Sequence, residues 1–231
     1  MRLKSLSAVL VTTALVAVSA PVLAQDKTGT NVDTSATGTP GGATTFAVAQ
    51  DLYAIGMANK DALTVLTAAK LAASVEVTEG AEIKKETKGE ATTEEADGAD
   101  APIDAAAMMA SAKELAAEDE TILGLIEDAE AEGARGRIGG AISRLSRLPA
   151  GMTDVWEVPF YGNSYAEVAV VGDGDANLDV LVTDENGNTI CYDVSWSDKV
   201  MCDFVPSWNG YFYVTVQNTG RKRNSYYLMT N

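Results

Sequence analysis

The sequence contains no histidine among its 231 residues, and this absence excludes several classes of enzyme at once. A zinc peptidase motif of the H-E-x-x-H type cannot occur, and neither a Ser-His-Asp triad nor a Cys-His pair can be assembled. The two cysteines are too few for a cysteine-only zinc site. No glycine-rich nucleotide-binding loop is present either. The residues therefore favour a protein without catalysis.

Basic residues are also scarce in this chain. Lys and Arg number 17 against 33 Asp and Glu, which gives a net charge of −16. Because binding to phosphate groups requires a clustered basic surface, nucleic acid and anionic membrane surfaces are excluded as partners. The run Arg221-Lys222-Arg223 falls at a predicted hairpin turn, where solvated charges are common.

Long hydrophobic runs are missing after the first residues of the chain. Residues 1–24 combine a short basic start, an apolar run from Leu6 to Ala20 and a small-x-small triplet that ends at Ala24. This pattern is typical of a secretory signal peptide cleaved after Ala24, and the run is too short for a membrane span of ~20 residues. Cleavage removes two basic residues and takes the net charge from −16 to −18. We expect a protein exported to the periplasm or the extracellular medium.

Export determines how the two cysteines are interpreted. Cys191 and Cys202 lie in two predicted strands, and a disulfide between them would persist in an oxidising compartment. Closing so short a loop stabilises a fold by about 2 to 3 kcal/mol. A redox centre would have C-x-x-C spacing, so the alternative is two unpaired, buried thiols. We predict the disulfide Cys191–Cys202.

The N-terminal half begins with a polar segment that leads into a helical one. Residues 25–44 are rich in Thr, Gly and Ser and predict a flexible, disordered leader, because they offer little surface to bury. From residue 45 apolar side chains recur at helical spacing, with a break at Asn59-Lys60 after which Asp61 can cap the next helix. Two short helices and one kinked helix both fit this stretch.

An acidic segment separates two helical stretches. Residues 76–102 hold almost no large apolar residues and predict a flexible linker. Helical spacing returns from Ile103 and is expected to stop at Gly133. Residues 133–151 combine glycine with four arginines and predict a second linker. The predicted helical region therefore covers residues 45–151.

The C-terminal part has the alternation of antiparallel strands. Apolar and polar residues alternate on both sides of Asn186-Gly187, a pair suited to the positive φ angles of a two-residue hairpin turn. The predicted strands are 154–161, 165–171, 178–183, 189–194, 200–205, 211–217 and 225–230. Short strands at such intervals favour a two-sheet sandwich. The sequence thus predicts an α+β protein, with an N-terminal α-helical region followed by an all-β sandwich over residues 152–231.

Three motifs in this part resemble a known family. They are GDGDANLDVLVTDENGN from Gly172, SDKVMCDFVPSWNGYFYVTVQN from Ser197, and NSYYLMTN from Asn224. Together they resemble the bacterial pre-peptidase C-terminal domain. In that family a strand with Asp-Leu-Asp alternation leads to a D-x-x-G-N turn, and a proline and G-x-Y-x-V-x-V precede the last hairpin. Asn177 stands here at the first Asp of the Asp-Leu-Asp element.

The resemblance implies a small, jelly-roll-like sandwich over residues 152–231. Domains of this family are usually appended to secreted peptidases, where they aid substrate binding or secretion, and some bind calcium. The residues before the domain contain no peptidase motif. The helical part resembles segments of uncharacterised exported bacterial proteins, which implies no activity.

An acidic loop near the start of this domain suggests a calcium site. The predicted metal ligands are Asp173, Asp175, Asp179 and Asp184. The loop begins with the spacing of an EF-hand, but Leu178 stands at the position of the EF-hand glycine, which excludes that motif. A calcium site between loops of the sandwich remains as the hypothesis. The alternative is that the same acids cap turns without an ion.

The predicted function is non-catalytic: either binding, or a role associated with the envelope or with secretion. The partner would be a protein, a polysaccharide or an envelope component. A binding module needs exposed aromatic side chains, for which Trp196, Tyr213 and Tyr227 are the candidates. A secreted hydrolase that uses two carboxylates is the enzymatic alternative, and a cleft with converging acids would indicate it. A structural protein that assembles through its helices is the other alternative, and an unmatched apolar helical face would indicate it.

Overall fold

The computed structural model describes residues 27–80, 83–92, 101–132 and 138–231. The predicted signal peptide lies outside these ranges. The described chain forms helices in its first half and strands in its second, an α+β arrangement that confirms the predicted fold class. No helix in the described ranges is long and apolar enough to cross a membrane.

The elements follow the chain in this order. The helices are α1 (Gly42–Asn59), α2 (Ala62–Ala73), α3 (Ala105–Ala116) and α4 (Glu120–Glu132). The early strands are β1 (Val75–Glu79), β2 (Lys84–Lys88) and β3 (Ile138–Leu148). The later strands are β4 (Thr153–Phe160), β5 (Ala166–Gly172), β6 (Leu178–Asp184), β7 (Thr189–Asp193), β8 (Lys199–Phe204), β9 (Gly210–Asn218) and β10 (Asn224–Thr230).

Two five-stranded sheets stack to form the sandwich. Sheet A has the strand order β1-β3-β10-β5-β8, and sheet B has the order β2-β4-β9-β6-β7. Apart from the parallel pair of β1 and β3, neighbouring strands are antiparallel. Alternate residues point between the sheets and form the core, among them Trp156, Phe212 and Tyr226. The strands predicted from sequence alternation are β4 to β10, and they are confirmed.

The helices cover the outer face of sheet A. A second core joins α1 and α2 to that face, and in it Phe46 meets Tyr227 edge to face, with ring centroids 6.4 Å apart. A third core lies between α2, α3 and α4, around Val65, Ala112 and Ile126. The molecule therefore has three layers: helices, sheet A and sheet B.

The break between α1 and α2 has the chemistry expected from the sequence. Lys60 adopts a left-handed conformation at the end of α1, with φ 54° and ψ 39°. Asp61 then caps α2, because its carboxylate accepts hydrogen bonds from the backbone N–H groups of Leu63 and Thr64. Of the two possibilities for this stretch, the structure has two helices.

A buried carboxylate from sheet A caps α1. The N-cap residue of α1 is Gly41, which has no side chain to cap the helix. Glu167 on β5 is fully buried, and its Oε1 accepts hydrogen bonds from the N–H of Gly41 at 2.6 Å and from the hydroxyl of Thr44 at 2.5 Å. A negative charge at this position is favourable, because it lies at the positive end of the helix dipole. The contact fixes α1 to the sheet beneath it.

The predicted linker at residues 76–102 contains two strands, so that prediction is wrong over β1 and β2. β1 extends sheet A by pairing with β3, and β2 extends sheet B by pairing with β4. Both are edge strands whose side chains are mostly exposed, and every residue of β2 is exposed. β2 has no apolar residue at all, and β1 has only the short alternation of Val75 and Val77, so neither gives the longer apolar alternation on which strand prediction relies.

The predicted linker at residues 133–151 is also wrong over most of its length. Residues 138–148 form β3, which lies inside sheet A between β1 and β10. Leu148 is 1% exposed and belongs to the core between the sheets, whereas Ala141 packs against the helices. The glycines and arginines of β3 masked this pattern in the sequence. The sandwich thus includes strands from outside residues 152–231.

The predicted disordered leader is held against the sandwich through Asn31. Asn31 is fully buried, its Oδ1 accepts a hydrogen bond from the N–H of Trp208 at 2.9 Å, and its Nδ2 donates to the Trp208 carbonyl at 3.1 Å. The backbone N–H of Asn31 donates to Asp184 at 2.8 Å. The prediction of disorder is wrong for this part of the leader. It was based on the polar composition of the segment, and composition does not reveal that Asn31 is buried and hydrogen-bonded.

The predicted disulfide between Cys191 and Cys202 is confirmed, with Cα atoms 6.2 Å apart. Cys191 lies on β7 at the edge of sheet B, and Cys202 lies on β8 at the edge of sheet A. The bond therefore joins the two sheets along one side of the sandwich. It also closes the loop that carries Trp196.

A buried polar network closes the opposite side of the sandwich. At its centre is Asp154 on β4, which is fully buried. Its donors are the hydroxyl groups of Thr87 at 2.5 Å, Ser146 at 2.6 Å and Tyr226 at 2.7 Å, and the ammonium group of Lys85 at 3.4 Å. Because these donors come from β2, β3 and β10, the network ties the early strands to the later ones.

Candidate ligand-binding surface

The loops of the sandwich gather at its two ends. What we term the acidic end consists of the β5–β6, β7–β8 and β9–β10 loops, residues 173–177, 194–198 and 219–223. The leader end consists of the β4–β5, β6–β7 and β8–β9 loops, residues 161–165, 185–188 and 205–209, together with residues 27–41.

Two predicted calcium ligands share the acidic end with a buried aspartate. Asp173 accepts backbone hydrogen bonds from Ser225 at 2.7 Å and from Asp175 at 3.0 Å. Burial raises the pKa of the Asp173 carboxyl, and the negative charges of Asp175 and Asp198 act in the same direction. A cation placed among these groups would relieve their repulsion.

Asp198 and Asn224 form the buried floor of the acidic end. Asp198 is 8% exposed and accepts hydrogen bonds from the N–H of Gly174 at 2.5 Å and from the amide of Asn224 at 3.1 Å. Within the part of the chain that the structure describes, the buried side-chain oxygens of Asn177 and Asn224 accept no hydrogen bond. Buried acceptors without donors are costly. The three acids of this end, Asp173, Asp175 and Asp198, are matched in number by the basic residues of the β9–β10 loop.

The other two predicted ligands stand at opposite ends of β6. Asp179 lies at the acidic end and accepts a hydrogen bond from the Asn177 amide at 2.8 Å. Asp184 lies at the leader end, roughly 17 Å further along the strand. The four predicted ligands are therefore not brought together. In the described ranges, no three Cys, Asp or Glu side chains form a group that could hold a metal ion.

Asp184 instead organises the β6–β7 turn and binds the leader. Its donors are the backbone N–H groups of Asn31 at 2.8 Å, Asn186 at 3.0 Å and Asn188 at 2.8 Å, and the Asn188 amide at 2.9 Å. Burial opposes ionisation, but these hydrogen bonds prevail and hold the pKa of the Asp184 carboxyl below its ordinary value. The predicted two-residue turn at Asn186-Gly187 is wrong, because the connection between β6 and β7 spans residues 185–188. Gly187 has the expected positive φ, 82°, but Asn186 does not.

A cleft at the acidic end is bordered by an exposed tryptophan. Its volume is about 530 Å³, and its lining includes Asp175, Asn177, Trp196, Asp198, Thr219 and Arg221. The Trp196 side chain is 97% exposed. A large aromatic side chain held so far into solvent buries almost nothing within the fold and is accessible to another molecule.

The outer face of sheet B carries further exposed aromatic and apolar side chains. We define the open face as Val155, Pro159, Leu181, Tyr192, Tyr211, Tyr213 and Thr215, which point away from the core. Leu181 lies opposite both Tyr192 and Thr215 across neighbouring strands, and Tyr211 lies opposite Pro159. Tyr192 is 69% exposed and Tyr211 is 52% exposed. The helices pack on sheet A and leave this face to solvent.

The structure separates the aromatic candidates that the sequence proposed. Tyr213 lies on the open face and Trp196 lies in the β7–β8 loop, whereas Tyr227 packs against Phe46 beneath α1. Sequence reasoning missed Tyr192 and Tyr211. The signal was present for Tyr211, because it alternates along β9 with the apolar, buried residues Phe212, Val214 and Val216.

Two solved structures are similar to part of this chain. The pre-peptidase C-terminal domain of a collagenase from Bacillus anthracis is 15% identical over 38% of this chain and 87% of that one, with a TM-score of 0.33. A carbohydrate-binding module, CBM36 in complex with calcium and xylotriose, is 10% identical over the same shares of the two chains, with a TM-score of 0.24. The two-sheet sandwich that the resemblance implied is present in the structure, whereas the resemblance of the helical part finds no support.

No model of a known protein family matches the sequence, and no curated protein matches it.

Proposed function

We propose that the protein is an exported, non-catalytic binding protein whose open face binds a neutral polysaccharide. The observation that carries this proposal is the exposure of Tyr192 and Tyr211 on the open face and of Trp196 in the β7–β8 loop. Contiguous exposed apolar groups on a folded protein mark interaction surfaces. The signal-like pattern of residues 1–24 and the disulfide support export.

The chemistry of the open face suits sugar rings. A pyranose ring presents a face of C–H groups, and that face packs on an aromatic ring through dispersion and the burial of apolar surface. Thr215 lies beside the aromatic groups and supplies a hydroxyl that can exchange hydrogen bonds with sugar hydroxyls. A sheet face with mixed aromatic and hydroxyl groups favours an extended carbohydrate over a protein partner, whose binding surface would require a larger apolar core.

The negative net charge of the protein favours a neutral polysaccharide as its ligand. The chain carries a net charge of −16, so its field repels anionic polysaccharides. On the open side of sheet B, Glu157 is paired with Lys84 at 3.2 Å, which leaves little local charge to attract an ion. We therefore expect binding to neutral chains that persists at high salt.

Binding to insoluble polysaccharides tests this proposal. Mature protein is mixed with cellulose, chitin and xylan, and the free fraction is measured as a function of protein concentration. We expect binding to at least one of them, and a loss of about tenfold in affinity for Trp196→Ala or Tyr192→Ala, since an aromatic contact contributes up to about 1.5 kcal/mol.

Tyr227→Phe provides the matched control, because Tyr227 is an aromatic residue on the helical side of sheet A. Its affinity should equal that of the wild type. Absence of binding to all three polysaccharides, or full binding by both alanine variants, would refute the proposed function.

Calcium at the acidic end is a second part of the proposal. The carboxylate ligands would be Asp173 and Asp175 alone, without Asp179 and Asp184, because no three acidic side chains in the described ranges converge on one position. Asp173 supports this, since burial and the charges of Asp175 and Asp198 raise the pKa of its carboxyl, and a bound cation would favour the ionised form. Hard cations prefer such oxygen ligands, and sites in extracellular modules bind calcium at about 0.1 to 1 mM.

The unfolding temperature of the mature protein tests for this site. We expect calcium to raise the unfolding temperature, because a ligand that binds only the folded state stabilises it by roughly 2.7 kcal/mol at about 100 times the dissociation constant. Magnesium should raise the unfolding temperature less. The double variant Asp173→Asn/Asp175→Asn should lose the response, while Glu86→Gln on β2 should keep it. Equal unfolding temperatures in EDTA, magnesium and calcium at matched ionic strength would exclude the site.

A further inference from the structure

The leader end contains a second cleft, which we term the tyrosine cleft. Its volume is about 410 Å³, and its lining includes Lys27, Pro159, Tyr161, Glu185, Asn209 and Tyr211. We propose that it is a second sugar-binding subsite, so that one neutral polysaccharide chain runs from it across the open face to Trp196. This inference rests on the proposed function and adds a second point of attachment to it.

The walls of the tyrosine cleft are exposed aromatic rings. Tyr161 is 77% exposed and Tyr211 is 52% exposed. The loop that carries Tyr161 is held in place, because the N–H of Gly162 donates to the side chain of Asn209 at 2.8 Å and the N–H of Asn163 donates to the carbonyl of Pro206 at 2.7 Å. The rings therefore stand on fixed backbone, which lowers the entropy lost when a ligand binds between them.

The cleft also holds polar groups of both kinds. Glu185 is positioned by the indole N–H of Trp208, which donates to its Oε1 at 2.6 Å. The backbone of Gly210 passes close to these groups, because a Cβ atom there would lie 2.6 Å from the Asn31 amide nitrogen and 2.7 Å from both carboxylate oxygens of Glu185. The Lys27 ammonium donates to the Asn209 carbonyl at 3.1 Å. A fixed acceptor and a flexible donor beside two rings match the hydroxyl groups and C–H faces of a sugar.

Two observations identify the occupant as a neutral carbohydrate chain. One carboxylate and one ammonium group line the cleft, so their charges offset each other and give no preference for an ion. The cleft is also continuous with the open face, since Tyr211 belongs to both and the next outward residue on β9 is Tyr213. Outward residues of β9 extend for roughly 20 Å towards the acidic end, a distance that suits an oligosaccharide rather than a single sugar.

Two attachment points on one chain produce a dependence of affinity on ligand length. Once one part of a long oligosaccharide is bound, binding of the other part becomes intramolecular and is favoured by a high effective concentration. A short oligosaccharide reaches only one of the two points. The ratio of the two affinities thus reports whether the tyrosine cleft takes part.

The experiment compares cellobiose with cellohexaose, and xylobiose with xylohexaose, by isothermal titration calorimetry with the mature protein. We expect the hexasaccharide of at least one series to bind at least about tenfold more tightly than its disaccharide. Tyr161→Ala should abolish that ratio and leave disaccharide binding at Trp196 unchanged. Tyr161→Phe keeps the ring and should retain the ratio, and Leu125→Ala on α4 is a control at a distant exposed side chain.

The outcomes separate this inference from the proposed function. If Trp196→Ala weakens hexasaccharide binding but Tyr161→Ala leaves it unchanged in a protein with the wild-type unfolding temperature, the tyrosine cleft is not a subsite and the proposed function stands. If the wild type binds neither series nor any of the insoluble polysaccharides, the proposed function fails and this inference fails with it.

Discussion

At the scale of single residues, Asp184 connects two distant parts of the chain. It is fully buried, and its carboxylate binds the leader at Asn31 as well as its own turn. Hydrogen bonds to an ionised group contribute about 1.5 to 3 kcal/mol each, and they are not additive. We predict that Asp184→Ala lowers the free energy of unfolding by at least about 2 kcal/mol, measured by urea denaturation at neutral pH.

The same residue predicts a dependence of stability on pH. The pKa of Asp184 is lower in the folded protein than its ordinary value of 3.8. Its contribution is therefore complete above that value and is lost as the pH falls through the lower, folded pKa. The difference between wild type and Asp184→Ala should be constant from neutral pH to about pH 5 and shrink below pH 4. A difference that grows on acidification would contradict this assignment.

Single residues also show where the prediction of the site from sequence reaches its limit. Asp173 and Asp175 were correctly placed in one loop, because they are neighbours in the chain. Asp184 was placed with them by spacing, although a strand of antiparallel sheet carries it to the far end of the sandwich. Its true partner, Asn31, is 153 residues away in the chain, and no local pattern encodes that contact.

At the scale of elements, the attachment of α1 depends on a residue that α1 does not contain. Glu167 on β5 supplies the cap, and its carboxylate is fully buried. We predict that Glu167→Gln costs about 1 kcal/mol of stability through loss of the charge at the helix N-terminus, and that Glu167→Ala costs about 2 kcal/mol. Amide hydrogen exchange should show the loss of protection concentrated in the first turns of α1.

Glu157→Gln is the matched control for this prediction, because Glu157 is a partly exposed glutamate on sheet B. It should change stability by less than about 0.5 kcal/mol. Equal effects of the two glutamine substitutions, or a loss of protection spread over both sheets, would show that Glu167 does not act through the helix.

The elements that the sequence predicted are those whose burial follows a regular period. β9 alternates between buried and partly exposed residues along most of its length, and its residues show the same alternation of apolar and polar types. β2 has the sequence KKETK and is exposed throughout, so neither composition nor period distinguishes it from a linker. β3 places Ser146 in the buried polar network, where an apolar residue would have continued the alternation of apolar and polar residues along the strand. Edge position and buried polar contacts thus account for the missed strands.

At the scale of the whole molecule, the three early strands make the sandwich depend on the full chain. Without them β10 and β4 each lose a neighbouring strand, and the core loses Leu148. Asp154 would also lose the donors from Lys85, Thr87 and Ser146. A buried charge without its partners costs several kcal/mol.

We therefore predict that a fragment of residues 152–231 has no cooperative thermal transition, whereas the mature protein unfolds cooperatively. Near-UV circular dichroism and differential scanning calorimetry measure this difference, with the disulfide intact in both samples. A cooperative transition of the fragment at the same temperature as the mature protein would show that the early strands contribute nothing to the sandwich.

The order of strands in sheet A has a consequence for biosynthesis. β10 lies between β3 and β5, although it follows both in the chain. A ribosome delivers residues in order, so the two halves of sheet A have no common neighbour until residues 224–230 have been made. Pairings between distant segments form slowly, because the loop must close before the contacts can stabilise it. Under the export that we propose, this delay is useful, since a translocation channel accepts an unfolded polypeptide and an early-folding sandwich would block its passage.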